Sequence, residues 1–127
     1  MSQSDGGETE IVEPRLPETS IFDLEDYLAM QRAISDETRF RILRLLRHSG
    51  ALSATELADT LDLQGNTLHY HLDELVETGL VRKRKESTAD ADGLYTAYSA
   101  SSIGDAILEH GISELMARES EFLSDYA

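Results

Sequence analysis

Gln64, Asn66, Thr67, His69, Tyr70 and His71 crowd amide, hydroxyl, imidazole and phenol groups into one short window. Gln and Asn pair bidentately with adenine, and Thr or Tyr reaches phosphate or a thymine methyl. The window also lacks something. Residues 51–81 hold six acids and no base, yet no carboxylate falls between Leu63 and Leu72. The acids resume at Asp73, Glu74 and Glu77, which are expected to lie away from a bound duplex. Next, Arg82-Lys83-Arg84-Lys85 sets four cations in succession. On a strand, their alternate side chains would straddle a phosphate backbone, and Ser53 and Thr55 join this backbone-contacting set.

Other chemistries fare worse. The chain has no Cys, which removes thiolate metal sites, Cys nucleophiles and thiol redox sensing. His69 and His71 are two apart on a helix, about 200° around its axis, and cannot chelate one ion together. His110 and Glu114 share a helical face and could hold zinc across a dimer seam with Asp105 or Glu109. Two ligands make a weak site, so a solvated pair is the expectation and no metal is assigned. Carboxylates are too common to mark a catalytic pair, and no Gly-rich phosphate loop or nucleophile motif occurs. Neither an enzyme nor a cofactor is expected.

The elements that must position these groups are legible from periodicity. Residues 1–20, acidic and holding both prolines, are expected to be a disordered tail. A helix over about 23–33 (segment 21–34) carries Leu24, Tyr27 and Leu28 on one face. Ser35 reads as an N-cap, with Asp36 and Glu37 in the first turn where the helix dipole favours anions. The helix it opens runs to about His48, with Phe40, Ile42, Leu43, Leu45 and Leu46 inward, and Gly50 closes it. Arg39, Arg41, Arg44 and Arg47 point outward, chiefly to salt bridges with the acidic surface. Ser53 and Glu56 form a capping box for a short helix ending near Leu61. A third helix spans about 64–78, its stripe Leu68, Leu72, Leu75 and Val76, and Gly79 sits at the C′ position. The period then changes: residues 80–85 and 94–98 read as strands flanking the polar turn Glu86–Gly93. Asp90 and Asp92 flank its tip, which is therefore expected to stay off DNA or to approach phosphate through cations. From Ser102 to about Tyr126 a helical stripe returns, with Leu108, Leu115 and Phe122 spaced by seven and Ile112, Met116 and Leu123 alongside. That stripe exceeds the needs of a small core, so residues 101–127 are predicted to be one dimerisation helix, kinked or closely crossed at Gly111.

The net charge is -14, with nine arginines but only two lysines, Lys83 and Lys85. Residues 27–50 hold five bases and two acids, and the other basic cluster is Arg82–Lys85. Total charge repels a polyanion, so nucleic-acid binding must rest on these local patches. Abundant carboxylates and scarce lysine suit a halophile's cytoplasm, where the Debye length at molar salt is about 3 Å. No apolar run approaches a membrane span, and a soluble cytoplasmic protein is expected.

This order is that of a winged helix-turn-helix, mainly α with a small β-hairpin, flanked by N- and C-terminal dimerisation helices. The domain is expected over residues 35–100, and the span 35–99 resembles the DNA-binding domains of ArsR-type transcriptional regulators, haloarchaeal ones especially. The resemblance lies in Ile34-Ser35-Asp36-Glu37-Thr38-Arg39-Phe40-Arg41-Ile42-Leu43, Thr55-Glu56-Leu57-Ala58, Thr67-Leu68-His69-Tyr70-His71-Leu72-Asp73-Glu74-Leu75 and Gly79-Leu80-Val81. A PadR-like regulator is the second choice. The expected assembly is a homodimer on double-stranded DNA, paired through the stripes Leu24, Tyr27, Leu28, Leu108, Ile112, Leu115, Met116 and Phe122. Cations bridging acidic residues and phosphates complete the expected partners, and no membrane is among them. A docking module of the transcription machinery and a metal-sensing repressor are the competing readings; target sequence, sign of regulation and inducing signal are not encoded legibly.

Overall fold

The computed structural model describes residues 9–87 and 94–126. Helices α1 (Leu24–Ile34) and α2 (Glu37–Ser49) lead into a two-residue strand β1 (Leu52–Ser53). Helices α3 (Ala54–Leu61) and α4 (Gly65–Glu77) follow, then strands β2 (Val81–Ser87) and β3 (Leu94–Ala100). Helices α5 (Ser102–Glu109) and α6 (Ile112–Ala117) and two 3-10 turns complete the chain. The sheet is antiparallel in the order β1-β3-β2. Residues 9–17 are exposed and without secondary structure; the rest of the predicted tail ends in a turn in which Ser20 N–H donates to Pro17 C=O.

One apolar core joins the elements from α1 to α5. Ile42, Leu43 and Leu46 of α2, Leu57 of α3 and Leu68, Leu72 and Leu75 of α4 are all buried. Leu80, Val81, Tyr98 and Leu108 close it from the wing and α5, and Met30, Ala33 and Ile34 seal it from α1. A buried Leu contributes roughly 1.5–3 kcal/mol from apolar area alone, so the leucine stripe of α4 is what fixes that helix.

Several expectations need correction. The cap of α2 is Asp36, not Ser35: its carboxylate accepts the Arg39 backbone N–H at 3.0 Å. That hydrogen bond holds the Asp36 carboxyl below its ordinary value, against a burial cost that raises it. Ser35 instead ends α1, its hydroxyl donating to Arg32 C=O. The wing gains a third strand, since Leu52 and Ser53 pair with Tyr98 and Ala97. Of the predicted turn Glu86–Gly93, Glu86 and Ser87 belong to β2, and the rest, with Asp90, Asp92 and Gly93, lies outside the described residues.

The C-terminal segment 101–127 is not one helix. α5 ends at Glu109, α6 is short, and Glu119–Glu121 and Leu123–Asp125 are 3-10 turns. The break falls at Gly111, where the sequence predicts a kink. The close crossing, however, is at Gly104: a Cβ there would collide with the Leu80 carbonyl oxygen and sit 3.2 Å from Leu43 Cδ1. Leu108 is 2% exposed inside its own subunit's core and presents nothing to a partner. The seven-residue spacing to Leu115 and Phe122 misleads because it crosses a helix break.

Candidate nucleic-acid interface

The turn between α3 and α4 depends on Asp62, whose φ of 55° lies in the left-handed region. Asp tolerates that conformation better than most residues. Leu63 N–H returns to Ala58 C=O at 3.0 Å, and α4 starts two residues later. Its far end is fixed by Gly79, at φ 81°. Gly79 N–H donates to Val76 C=O and Leu80 N–H to Leu75 C=O, both at 3.0 Å, which is a Schellman closure. Ser101 locks this end to α5: its Oγ donates to Gly79 C=O at 2.7 Å and accepts Gly104 N–H at 3.0 Å.

The outward face of α4 therefore has a defined direction. Gln64, Asn66, Thr67, His69 and Tyr70 are exposed on its first two turns. Gln64 is the N-cap but makes no side-chain cap bond, and the first turn holds no acid. Its free N–H groups and the helix dipole favour an anion at this end. Asn66 Oδ1 accepts Thr67 N–H at 2.9 Å. Pairing bidentately with adenine requires that local bond to open. Asp73 and Glu77 continue the stripe of Asn66 and Tyr70 at helical spacing, so they share its face rather than turning away. Their charge disfavours an anionic partner at the carboxyl-terminal half of that face.

His71 is not a free base-reading group. It is half-buried, and Arg39 Nη1 donates to its Nδ1 at 3.0 Å. Ser53 likewise serves the fold first, its Oγ accepting Glu56 N–H at 3.1 Å while Glu56 accepts Ser53 N–H at 2.9 Å. Only the Ser53 hydroxyl proton remains to offer. Thr55 is exposed in the first turn of α3.

On β2, register sorts the four cations by face. Lys83 and Lys85 stand opposite Tyr98 and Thr96, whereas Arg82 and Arg84 stand opposite Ser99 and Ala97. Strand alternation puts the lysines on one face and the arginines on the other. All four are exposed, and among the described residues none pairs with a carboxylate. Lys85 Nζ donates to Thr96 Oγ1 at 2.9 Å. The arginines of α2 are spent differently. Arg41 pairs with Glu37 at 2.9 Å and Arg47 with Glu109 at 3.3 Å.

His110 is the C-cap of α5 and Glu114 lies in the first turn of α6, so no single helix carries both. Their side chains are 3.8 Å apart, and Arg118 holds the other Glu114 oxygen at 2.9 Å. Among the described residues no helix is long and apolar enough to cross a membrane. Leu24, Leu28, Ile112, Leu115, Met116 and Phe122 are exposed, while Tyr27 is half-buried against Phe22.

Comparison with known proteins agrees with this geometry. A helix-turn-helix domain model matches residues 34–84. A protein of Halobacterium salinarum assigned by name as an arsenical resistance operon repressor, ArsR, is 34% identical over 86 residues. The alignment covers 67% of this chain but only 62% of that relative's length. The solved structure of HlyU from Vibrio cholerae is 30% identical, with 67% of this chain and 83% of that one covered at a TM-score of 0.56. The fold is also that of a homodimeric winged helix-turn-helix DNA-binding domain from Mycobacterium bovis, a possible ArsR-family regulator. There the TM-score is 0.61 at 24% identity, covering 76% of this chain and 82% of that domain.

Proposed function

The chain belongs to the ArsR-type winged helix-turn-helix family, and from that premise we propose that it is a transcription regulator that binds double-stranded DNA as a homodimer. The amino-terminal half of α4 enters the major groove, where Gln64, Asn66, Thr67, His69 and Tyr70 meet base edges and phosphates. The cations of β2 lie along the backbone. The observation that carries this reading is a helix start with no carboxylate and no side-chain cap bond, and a basic strand with no carboxylate partner among the described residues, in a chain of net charge -14. The exposed apolar side chains of α1 and of the segment after Gly111 support pairing of two copies. Two copies of α4 about 34–36 Å apart would select a near-palindromic site. The composition supports work at high salt in a cytoplasm, with cations between acidic side chains and phosphates.

Most proteins release condensed counterions on binding DNA, and six to ten phosphate contacts cost about 10³–10⁵ in affinity between 50 and 200 mM salt. This chain carries Asp73 and Glu77 on the outward face of α4 and Glu86 directly after its basic run, so cations taken up on binding offset those released. The test is fluorescence anisotropy with fragments selected from pooled genomic DNA, titrated from about 0.2 to 3 M KCl. A few fragments are retained, and their affinity is flat or rises with salt. Selective binding lost steeply above about 0.2 M would contradict the high-salt part, and no selective binding at any salt would contradict the whole reading.

A further inference from the structure

We propose that Arg39 is a positioning residue for the DNA-reading face, holding Tyr70 in place through His71. This rests on the DNA-binding reading of α4. Arg39 lies in the first turn of α2 and its fork spans two acceptors on two other helices. Nε donates to Ala33 C=O in the last turn of α1 at 2.7 Å, and Nη1 donates to His71 Nδ1 at 3.0 Å. A guanidinium only donates, so Nδ1 must present its lone pair and the His71 proton sits on Nε2. With Nδ1 held, the His71 ring is fixed edge-on to its neighbour: the Tyr70 and His71 centroids are 5.0 Å apart at 65°.

Tyr70 is 60% exposed on the same stripe as Asn66, the position from which a side chain reaches a groove. An exposed Tyr with no neighbour would sample several rotamers and lose entropy on binding. The edge-to-face contact limits that sampling. The carboxylate of Asp36, which caps α2 through the Arg39 backbone N–H, lies close to the Arg39 charge and balances the guanidinium. Lys could not replace Arg39 here, because one ammonium cannot take both acceptors in this forked geometry.

The test has two arms on the full chain. In the DNA-free protein, proton NMR follows NOEs between the Tyr70 and His71 rings. They are present in wild type, lost in Arg39→Gln and only partly restored in Arg39→Lys. In the second arm, affinity for a selected fragment is compared with affinity for random-sequence duplex. Arg39→Gln lowers specific affinity about tenfold, leaves random-sequence affinity and its salt slope unchanged, and adds no loss on top of Tyr70→Ala. An equal loss on both duplexes with a shallower salt slope would mean that Arg39 touches phosphate, and would overturn the proposal. So would additive losses, or ring NOEs indifferent to Arg39. If wild type binds no DNA while the NOEs depend on Arg39, the DNA-binding reading has failed and takes the positioning role with it.

Discussion

Replacing Arg82, Lys83, Arg84 and Lys85 together with glutamine is expected to weaken DNA binding by at least about 100-fold. Hydrogen bonds to charged groups contribute about 1.5–3 kcal/mol each, and each 1.4 kcal/mol is tenfold in affinity. Removing two such phosphate hydrogen bonds from each bound subunit already suffices. The melting temperature should hardly move, because all four side chains are exposed and none serves a carboxylate among the described residues. The register divides the experiment. Lys83→Gln/Lys85→Gln empties one face of the strand and Arg82→Gln/Arg84→Gln the other. The face turned to phosphate accounts for most of the loss, and anisotropy titrations of the two double variants identify it. A quadruple variant that binds within about threefold of wild type would remove the wing from the interface.

The second large effect falls on stability. Gly104→Ala sets a methyl group against the Leu80 carbonyl, which is backbone and cannot rotate aside. Leu80 is itself tied down, its N–H to Leu75 and its carbonyl to Ser101 N–H at 3.0 Å. Relief requires α5 to lift from the joint where α4, the wing and α5 meet. Overpacking of this kind costs about 1–3 kcal/mol, and each kcal/mol moves the melting temperature of a domain this size by about 4–8 °C. A fall of roughly 10–15 °C in a thermal melt is expected. Gly65→Ala is the matched control. Nothing lies within 4 Å of a Cβ at Gly65, so that variant should melt at or slightly above wild type. If Gly104→Ala melts within about 2 °C of wild type, the joint is looser than the geometry implies.

Periodicity makes the helix-turn-helix legible and fails where a tertiary contact decides. The stripe Leu68, Leu72 and Leu75 and the glycine at 79 place α4 to within a residue, because burial and capping act locally there. Ser53 with Glu56 marks α3 for the same reason. β1 escapes notice because two residues carry no period; only Tyr98 and Ala97 across the sheet make them a strand. Ser35 and Asp36 are both good caps, and the choice turns on which carboxylate or hydroxyl reaches Arg39 N–H. The role of His71 is hidden for a similar reason. Its partner Arg39 is 32 residues away in sequence, so nothing near His71 shows that its ring is engaged. Gly104 carries a weak signal, a glycine in the first turn of a helix opened by Ser101, but only the path of Leu80 explains it.

The proposed function requires the amino-terminal half of α4 to lie in the major groove. Dimethyl sulfate tests it directly, because it methylates guanine N7 in the major groove and adenine N3 in the minor groove. On a fragment selected by the wild-type protein, guanine N7 atoms should be protected in two patches about 10–10.5 base pairs apart, centre to centre. Asn66→Ala/Tyr70→Ala should lose that protection while random-sequence binding persists. A saturated complex in which every guanine N7 reacts as in free DNA would contradict the account.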